Sequence, residues 1–373
     1  MELDPLILSR IQFAFVVCFH AIFPVFTIGL ASTIAGFEVL HFKTDSLIWQ
    51  KLSKFWTQVF AVVFGIGVVS GIVMSFQFGT NWSNFSFATA NFLGPVLSYE
   101  VITAFFLEAT FLGVLLFGRD KVPKGAHLFA AIMVASGTFI SSFWILSANS
   151  LMQTPDGLEL IDGMYYVKSW SDALFTASFG YRFLHMALAS FLTAALVVAG
   201  VSAWFVLQKR ELEANQKALS IALWFLLILA PAQALVGDYH GLNTLKHQPM
   251  KVAAMEGHWR TDTGVPLLLF AIPDQDAQTN HFEIGIPKVA SLILTHDWEG
   301  ELKGLNEVSV EEQPPVFIVF WSFRIMVGLG LLMILFAIWG LLLRPSGRYL
   351  KSPVFLNGLR MMSIAPFLAV LSG

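Results

Sequence analysis

Eight long apolar runs constrain the fold of this chain more than any other feature of its sequence. A helix needs about 20 apolar residues to cross a bilayer, and several of the runs are longer than that. We therefore predict an all-α polytopic membrane protein with about eight transmembrane helices. The first, fifth and seventh runs exceed one crossing, which predicts tilt or extension beyond the membrane. The predicted spans are 8–40, 55–77, 94–117, 127–148, 175–207, 218–237, 315–343 and 355–371.

The composition agrees with a membrane protein and excludes several other classes. Only 13% of the residues are charged, whereas soluble domains carry about 25%. The net charge of −3 gives no sign of nucleic-acid binding. Cys18 is the only cysteine, which excludes an internal disulfide and a CxxCH haem attachment site. The first apolar run has no basic region or cleavage site before it, so we interpret it as a retained span.

Basic residues concentrate in alternate loops of the predicted bundle. The loops after spans 1, 3, 5 and 7 each carry three lysines or arginines, whereas loop 78–93 has no charged residue. The positive-inside rule places the basic loops in the cytoplasm and the N-terminus outside. Segment 238–314, with twelve acids and five basic residues, is then extracytoplasmic. We expect helices 1–6 in residues 1–237, a folded outer loop in 238–314 and helices 7–8 in 315–373.

Six ionisable side chains are expected deep inside these spans. Such groups cost roughly 2.5–3.5 kcal/mol on insertion scales, which makes them candidates for a functional site. Counted from the span ends, all six fall in the outer half or the middle of the membrane, and none falls in the inner half. Scattered structural groups would not be expected to cluster in this way. The six are His20, Glu100, Glu108, Arg182, His185 and Arg324.

His185 and Met326 are predicted to lie at nearly the same depth. At about 1.5 Å of rise per residue, both lie roughly 15 Å below the outer end of their spans. An imidazole and a thioether are the axial ligands of a His/Met low-spin haem. Arg182 and Arg324 lie slightly outward of them, on the side where anionic haem propionates would need partners.

His20 and two carboxyl groups suggest a second, more open metal centre with a proton path. Glu100 precedes Glu108 by eight residues, which is about two helical turns, so we expect the two glutamates to share a helix face. A proton relay needs such groups in series.

Each of these residues also has a structural interpretation. A lone histidine often forms a hydrogen bond between helices, and methionine in a span is usually packing. A buried glutamate can be a protonated structural group, and arginine can extend to the interface. The glycines Gly65, Gly67 and Gly71 are typical of close helix packing but would also leave room for a flat porphyrin. The sequence leaves these alternatives open.

Several motifs resemble subunit I of the cytochrome bd quinol oxidases, and the resemblance extends from Leu8 to the end of the chain. The modest outer segment is most similar to the branch with a short quinol loop, which includes the cyanide-insensitive type. The motifs are "SRIQFAFVVCFH", "FQFGTNWS", "FFLEATF", "FWILSANSLMQTP", "KVAAMEGHW", "IPDQ" and "FWSFRIMVGLG".

The resemblance implies three haems. His185 and Met326 match the axial ligands of the low-spin haem b, and Arg324 matches an arginine beside it. His20 matches the axial histidine of one of two high-spin haems, a haem b and a haem d (or a second high-spin haem b). The order of the two high-spin haems stays open.

The resemblance also assigns proton and quinol sites. Glu100 and Glu108 match the acidic pair used for proton delivery, and Lys251 and Glu256 match residues of the quinol-binding loop. Without the resemblance, Lys251 and Glu256 would be interpreted as a solvated surface face.

The implied function is oxidation of quinol coupled to reduction of dioxygen to water in the bacterial cytoplasmic (inner) membrane, which generates a membrane potential. The implied partners are subunit II and, in addition, a small accessory subunit. Because we find no acid in the inner half of the spans, we expect a partner to supply part of the proton route. Two other functions stay open: a haem b electron-transfer protein without oxygen reduction, and a proton-coupled transporter using Glu100 and Glu108, although no inverted repeat favours it.

This sequence differs from the family pattern at its C-terminus. The family continues with Gly-Trp, a glutamate that ligates the other high-spin haem, a Gly-Arg-Gln-Pro-Trp motif and a ninth span, whereas this sequence ends at "LAVLSG". We expect either a cropped sequence or a truncated product. A truncated product is expected to bind the low-spin haem and to assemble its oxygen site poorly.

Overall fold

The computed structural model describes residues 4–373, and eight helical segments within this range are long and apolar enough to cross a membrane. The predicted all-α polytopic fold is therefore confirmed. Of the helices below, α9 and α10 are short and lie outside these segments. The helices are α1 (Pro5–Thr44), α2 (Leu47–Gly79), α3 (Ser83–Glu100), a π-helix (Val101–Phe105), α4 (Phe106–Phe117), α5 (Lys124–Gln153), α6 (Trp170–Leu174), α7 (Phe179–Leu207), α8 (Leu212–His247), α9 (Pro249–Glu256), α10 (Val289–Thr295), α11 (Val316–Leu343), α12 (Pro353–Met362) and α13 (Ala365–Ser372).

The chain divides into two compact units. Unit 1 runs to Gln233 and includes Met333–Leu371, and unit 2 consists of Ala234–Leu332 with Ser372–Gly373. The long helices α8 and α11 each contribute to both units.

Unit 1 is a helical bundle in which α1 packs against α2, α5 and α7. Small residues set how closely these helices approach. A Cβ atom on Gly29 of α1 would lie only 2.1 Å from the backbone oxygen of Ser190 on α7. Glycine at this position therefore allows the two backbones to touch, as small residues do in membrane helix pairs.

The tight connection between α1 and α2 follows from two capping residues. Asp45 ends α1 in the left-handed conformation, with a φ of 51°. Ser46 then caps α2, and its side-chain oxygen accepts a hydrogen bond from the backbone N–H of Ile48 at 3.4 Å. Such caps satisfy N–H groups that have no partner inside the helix.

A small hairpin covers part of the bundle in unit 1. Strands β1 (Leu158–Ile161) and β2 (Met164–Val167) pair antiparallel. The two turn residues, Asp162 and Gly163, have φ values of 49° and 80°, as a two-residue type I′ turn requires. Leu158 and Val167 pack on a buried cluster that includes Phe92 of α3.

Unit 2 contains a folded segment between α8 and α11. Strands β4 (Leu267–Asp274) and β5 (Thr279–Ile286) form an antiparallel pair, and the two-residue strands β3 (Asp262–Thr263) and β6 (Glu301–Leu302) form another. One of its buried clusters consists of Ala253, Ala254, Trp259, Leu305 and Val316.

Candidate functional site

His20 on α1 is held against α2 by a hydroxyl group. Its Nδ1 lies 2.9 Å from Oγ of Ser70, and that hydroxyl donates to the backbone oxygen of Gly67 at 2.9 Å. A hydroxyl has one proton, so Ser70 accepts the proton of His20 Nδ1–H. The Nε2 atom of His20 then carries a lone pair, which is the form of imidazole that ligates a metal.

The glycines of α2 provide room for this contact. A Cβ on Gly71 would lie 3.3 Å from Cε1 of His20, and a Cβ on Gly67 would lie 3.2 Å from Cβ of Phe23. These two glycines therefore serve the close approach of α1 to α2. Around Gly65 there is nothing within 4 Å of an added Cβ.

Glu100 and Glu108 both face α5. Oε1 of Glu100 accepts a hydrogen bond from Ser141 at 2.7 Å. A Cβ on Gly137 would lie 2.5 Å from Cγ of Glu108, which is 6% exposed. Gly137 and Ser141 are four residues apart on α5, so the two glutamates meet one helix face, as the sequence predicts.

The π-helix between α3 and α4 contributes to this alignment. At 3.6 residues per turn, eight residues of α-helix would turn the second glutamate about 80° past the first. Val101–Phe105 has the wider π turn, which reduces this excess rotation. Such segments are frequent at functional sites, and their position could not be predicted from the sequence.

His185 on α7 is contacted by an amide from α8. Nε2 of Gln233 lies 3.1 Å from Nε2 of His185. An amide nitrogen can only donate, so His185 Nε2 accepts and carries a lone pair. Oε1 of Gln233 is buried without a hydrogen-bond partner among the described residues. His185 therefore also presents the nitrogen form that a metal needs.

Arg182 lies one turn before His185 and uses only some of its hydrogen-bond donors in the contacts described here. Its Nε donates to Ser178 Oγ at 3.2 Å, and its Nη1 donates to Asn149 Oδ1 at 3.1 Å. A guanidinium group has five N–H donors, so Arg182 keeps donors for an anionic group.

In unit 2, Arg324 joins two side chains that the sequence analysis assigned to different sites. Its Nη2 donates to Glu256 Oε2 at 2.7 Å, while Nε and Nη1 donate to the backbone oxygens of Leu268 and Met255 at 2.6 and 3.2 Å. Glu256 is 5% exposed, so the interpretation of this segment as a solvated face is wrong for Glu256. Two of the five N–H groups of Arg324 are not used by these contacts.

Met326 follows Arg324 by two residues on α11 and is half-buried. Lys251, on α9, is also half-buried. Lys251 precedes Glu256 by five residues. At about 100° per residue, the two side chains point to different sides of α9. Glu256 is the one whose contact with Arg324 is described above, at 2.7 Å.

Sequence analysis missed His258, which is 6% exposed in unit 2. Burial lowers the pKa of His258 to about 4, and the Arg324 cation acts in the same direction. Its Nε2 is buried without a hydrogen-bond partner among the residues described by the structure. A neutral imidazole is therefore enclosed beside the Glu256–Arg324 pair at neutral pH.

The low pKa of His258 predicts a pH-dependent stability of unit 2. An unfolded histidine takes up a proton below its ordinary pKa of 6.5, whereas folded His258 does not until about pH 4. The contribution of His258 to stability should fall as the pH drops through this window, by about 3 kcal/mol in total, and should be constant above it. Amide hydrogen exchange in β4 and β5 at pH 7 and pH 5 measures this loss. The His258→Gln variant should lose less stability over that interval, and an equal loss in both proteins would contradict the prediction.

A second group of buried ionisable side chains lies at the lysine- and arginine-rich end of unit 1. Glu38 accepts hydrogen bonds from Ser53 and from Arg119 Nη2, the latter at 2.5 Å. Its Oε2 lies 3.1 Å from Nδ1 of His127, whose Nε2 lies 3.1 Å from the backbone oxygen of Leu115. We call Glu38, Ser53, Arg119 and His127 the Glu38 cluster.

The Glu38 cluster adds buried ionisable groups to the six that the depth counts selected. Glu38 and His127 are 3% and 2% exposed, although both lie near the basic loops. They are buried because α1 continues to Thr44 and α2 and α5 enclose its last turns. Sequence depth counts did not reveal this enclosure.

Together, the fold and these side chains define a class of protein. It is a polytopic membrane protein with two half-buried imidazoles in metal-ligating form and a series of carboxyl groups inside its helices. In residues 4–373 no three His, Cys, Asp or Glu side chains converge to hold a metal ion.

This chain belongs to the cytochrome bd terminal oxidase subunit I family, whose family model matches residues 8–373. Membership of a cytochrome family implies haem. The imidazole lone pairs of His20 and His185 fit that cofactor.

Individual relatives agree with this assignment. The chain is 35% identical over 382 residues to cytochrome bd ubiquinol oxidase subunit 1 of Bacillus subtilis, covering 100% of this chain and 81% of that protein. It is 34% identical over 314 residues to cytochrome bd-II ubiquinol oxidase subunit 1 of Escherichia coli, covering 83% and 61%. The solved structure of bd oxidase from Geobacillus thermodenitrificans matches with a TM-score of 0.90 and 28% identity, covering 99% of this chain and 85% of that one.

Proposed function

We propose that this chain is the haem-bearing subunit of a membrane quinol oxidase that reduces dioxygen to water and thereby generates a membrane potential. The family match over residues 8–373 carries this proposal. It favours an oxidase over a transporter or a haem protein that only transfers electrons, because the relatives are named as oxidases. The complex acts in the bacterial inner membrane, with the N-terminus outside.

The haem ligands are proposed from the imidazoles of His20 and His185 and the thioether of Met326. His185 and Met326 would hold the low-spin haem b, with Arg182 and Arg324 near its propionates. His20 would hold one of two high-spin haems, a haem b or a haem d. Bound haem supplies one-electron transfer and oxygen binding. Ser70 accepts the Nδ1–H of His20, which leaves Nε2 of His20 as the ligating atom. On His185, the Nε2 lone pair that would ligate the iron is the one that accepts from Gln233, so the amide would give way to the haem.

Quinol is proposed to bind at the outer segment near Lys251 and Glu256. Quinol oxidation releases protons, and a carboxylate beside the quinol hydroxyl groups can accept one of them. Glu256 has the required carboxylate, held by Arg324 at 2.7 Å. Release of these protons outside would contribute to the membrane potential.

Glu100 and Glu108 are proposed to deliver protons to the site where oxygen is reduced. Both face α5 within the bundle, and Ser141 donates a hydrogen bond to Glu100 at 2.7 Å. Subunit II, and a small accessory subunit in addition, would complete the complex. The relatives' names identify them as subunit 1 of their oxidases.

A visible spectrum of the purified complex tests this function against its alternatives. An oxidase should show a low-spin b haem together with high-spin b and chlorin-type d bands. A protein that only transfers electrons would show the low-spin b haem alone. A transporter would show no haem bands, and either of these two results would contradict the proposal.

Replacement of Ser70 should weaken the haem site at His20 in particular. The Ser70→Ala variant removes the acceptor of the His20 Nδ1–H proton. Loss of such a supporting hydrogen bond typically costs about 10–100-fold in metal affinity. The ratio of high-spin haem to protein, measured by titration, should fall while the low-spin band persists. The Ser70→Thr variant keeps the hydroxyl and should retain the haem; equal haem content in all three proteins would contradict the role of Ser70.

A further inference from the structure

The Glu38 cluster holds more hydrogen-bond acceptors than a neutral histidine can satisfy. His127 faces the Glu38 carboxylate through Nδ1 and the Leu115 backbone oxygen through Nε2, both at 3.1 Å. Both partners only accept hydrogen bonds, and a neutral imidazole has one N–H. An imidazolium has two and satisfies both contacts.

The charged groups of the cluster meet at one carboxylate. Arg119 Nη2 and His127 Nδ1 both contact Glu38, at 2.5 and 3.1 Å. Ser53 and His127 are 0% and 2% exposed, while the Arg119 side chain is 15% exposed and is the most open member of the cluster. Arg119 therefore lies at the rim of the cluster, while Glu38 and His127 lie inside it.

Helix α5 connects the cluster to the carboxyl groups deeper in the bundle. Glu38 contacts it at His127, Glu108 at Gly137 and Glu100 at Ser141. At about 1.5 Å per residue, these contacts are roughly 15 Å and then 6 Å apart along the helix. The three glutamates therefore follow one helix inward from the basic end of unit 1. The longer interval exceeds one hydrogen bond and needs water molecules to carry a proton.

We infer that Glu38 and His127 form the proton-uptake site of this chain, which takes protons from the aqueous phase beside Arg119 and supplies Glu108 and Glu100. This inference rests on the proposed function, because oxygen reduction to water consumes protons. The transfer moves a proton alone: His127 gains it as imidazolium and returns to neutral imidazole when it passes on. The proton route therefore begins on this chain, whereas the sequence led us to expect that a partner subunit supplies this part.

The experiment uses the purified holo-complex in vesicles and measures proton uptake from the basic side after the reduced enzyme meets oxygen. Glu38→Gln and His127→Asn should slow proton uptake and turnover by at least about tenfold, with haem content per protein unchanged. Lys51→Gln is the matched control, because Lys51 and Glu211 form an ion pair with side chains 62% and 65% exposed. Its proton uptake should equal that of the unaltered protein.

The outcomes separate this inference from the proposed function. If the unaltered complex does not reduce oxygen, the proposed function fails. If it does, and the Glu38 and His127 variants have full haem content with unchanged proton uptake, only the proton-uptake site is wrong.

If the complexes with Glu38→Gln or His127→Asn fail to assemble, a third variant tests the proton-uptake site. Arg119→Gln removes the cation at the rim of the cluster, where protons are proposed to enter. Proton uptake from the basic side should then slow by at least about tenfold relative to Lys51→Gln, with haem content per protein unchanged. Proton uptake equal to that of Lys51→Gln would overturn the inference.

Discussion

The His185→Ala variant should lose the low-spin haem completely while the protein still inserts in the membrane. His185 is the proposed imidazole ligand of that haem, and Met326 alone cannot hold it in the six-coordinate form. Alanine removes the Nε2 lone pair that Gln233 contacts at 3.1 Å. The reduced-minus-oxidised spectrum of the purified complex measures the loss, which we expect to be one haem equivalent per chain.

Gln233→Leu is the matched control for this variant. It removes the amide that donates to His185 but leaves the imidazole in place. The low-spin band should therefore persist, with a shift at most. If His185→Ala kept an unaltered low-spin band, the assignment of His185 as a ligand would be wrong.

The Arg324→Met variant should destabilise unit 2 by about 3–5 kcal/mol. It leaves the carboxylate of Glu256, which is 5% exposed, without its counter-charge. It also removes the donors that reach the backbone oxygens of Leu268 and Met255. Amide hydrogen exchange in β4, which contains Leu268, measures the loss of stability.

Two further variants test whether the buried ion pair is the cause. Adding Glu256→Gln to Arg324→Met should recover part of the loss, because no uncompensated charge is then buried. Lys288→Ala breaks an exposed ion pair with Glu299 in the same unit, and should cost about 0–1 kcal/mol. If Arg324→Met cost no more than Lys288→Ala, the Glu256–Arg324 pair would not stabilise the unit.

Hydrophobicity and loop charge were sufficient to predict the helical fold. Apolar runs long enough to span a bilayer have few alternatives to helices, and eight such segments occur in residues 4–373. The strand pairs of unit 2 were harder to predict. Phe270 and Ile284 pair across β4 and β5 in a register with irregularities, which no simple alternation in the sequence reveals.

The relation between Glu100 and Glu108 shows both the power and the limit of sequence spacing. Eight residues predicted a shared face, and both side chains do face α5. The π-helix that helps align them depends on packing that the spacing alone does not contain.

Depth counts missed groups whose burial depends on neighbouring helices. Glu38 and His127 looked like interfacial residues, but contacts from α1, α2 and α5 enclose them. His258 was missed for a similar reason, since a histidine in a polar outer segment has no sequence signal that separates a buried position from a solvated one. Glu256 shares that segment and is equally buried.

Quinol-driven oxygen consumption by the purified complex tests the central claim most directly. Four-electron reduction of dioxygen to water requires two quinols, each of which supplies two electrons. We predict that two quinols are oxidised for each dioxygen consumed and that no hydrogen peroxide accumulates. A complex that carries its haems but consumes no oxygen with quinol, or that oxidises one quinol per dioxygen and releases peroxide, would contradict the account.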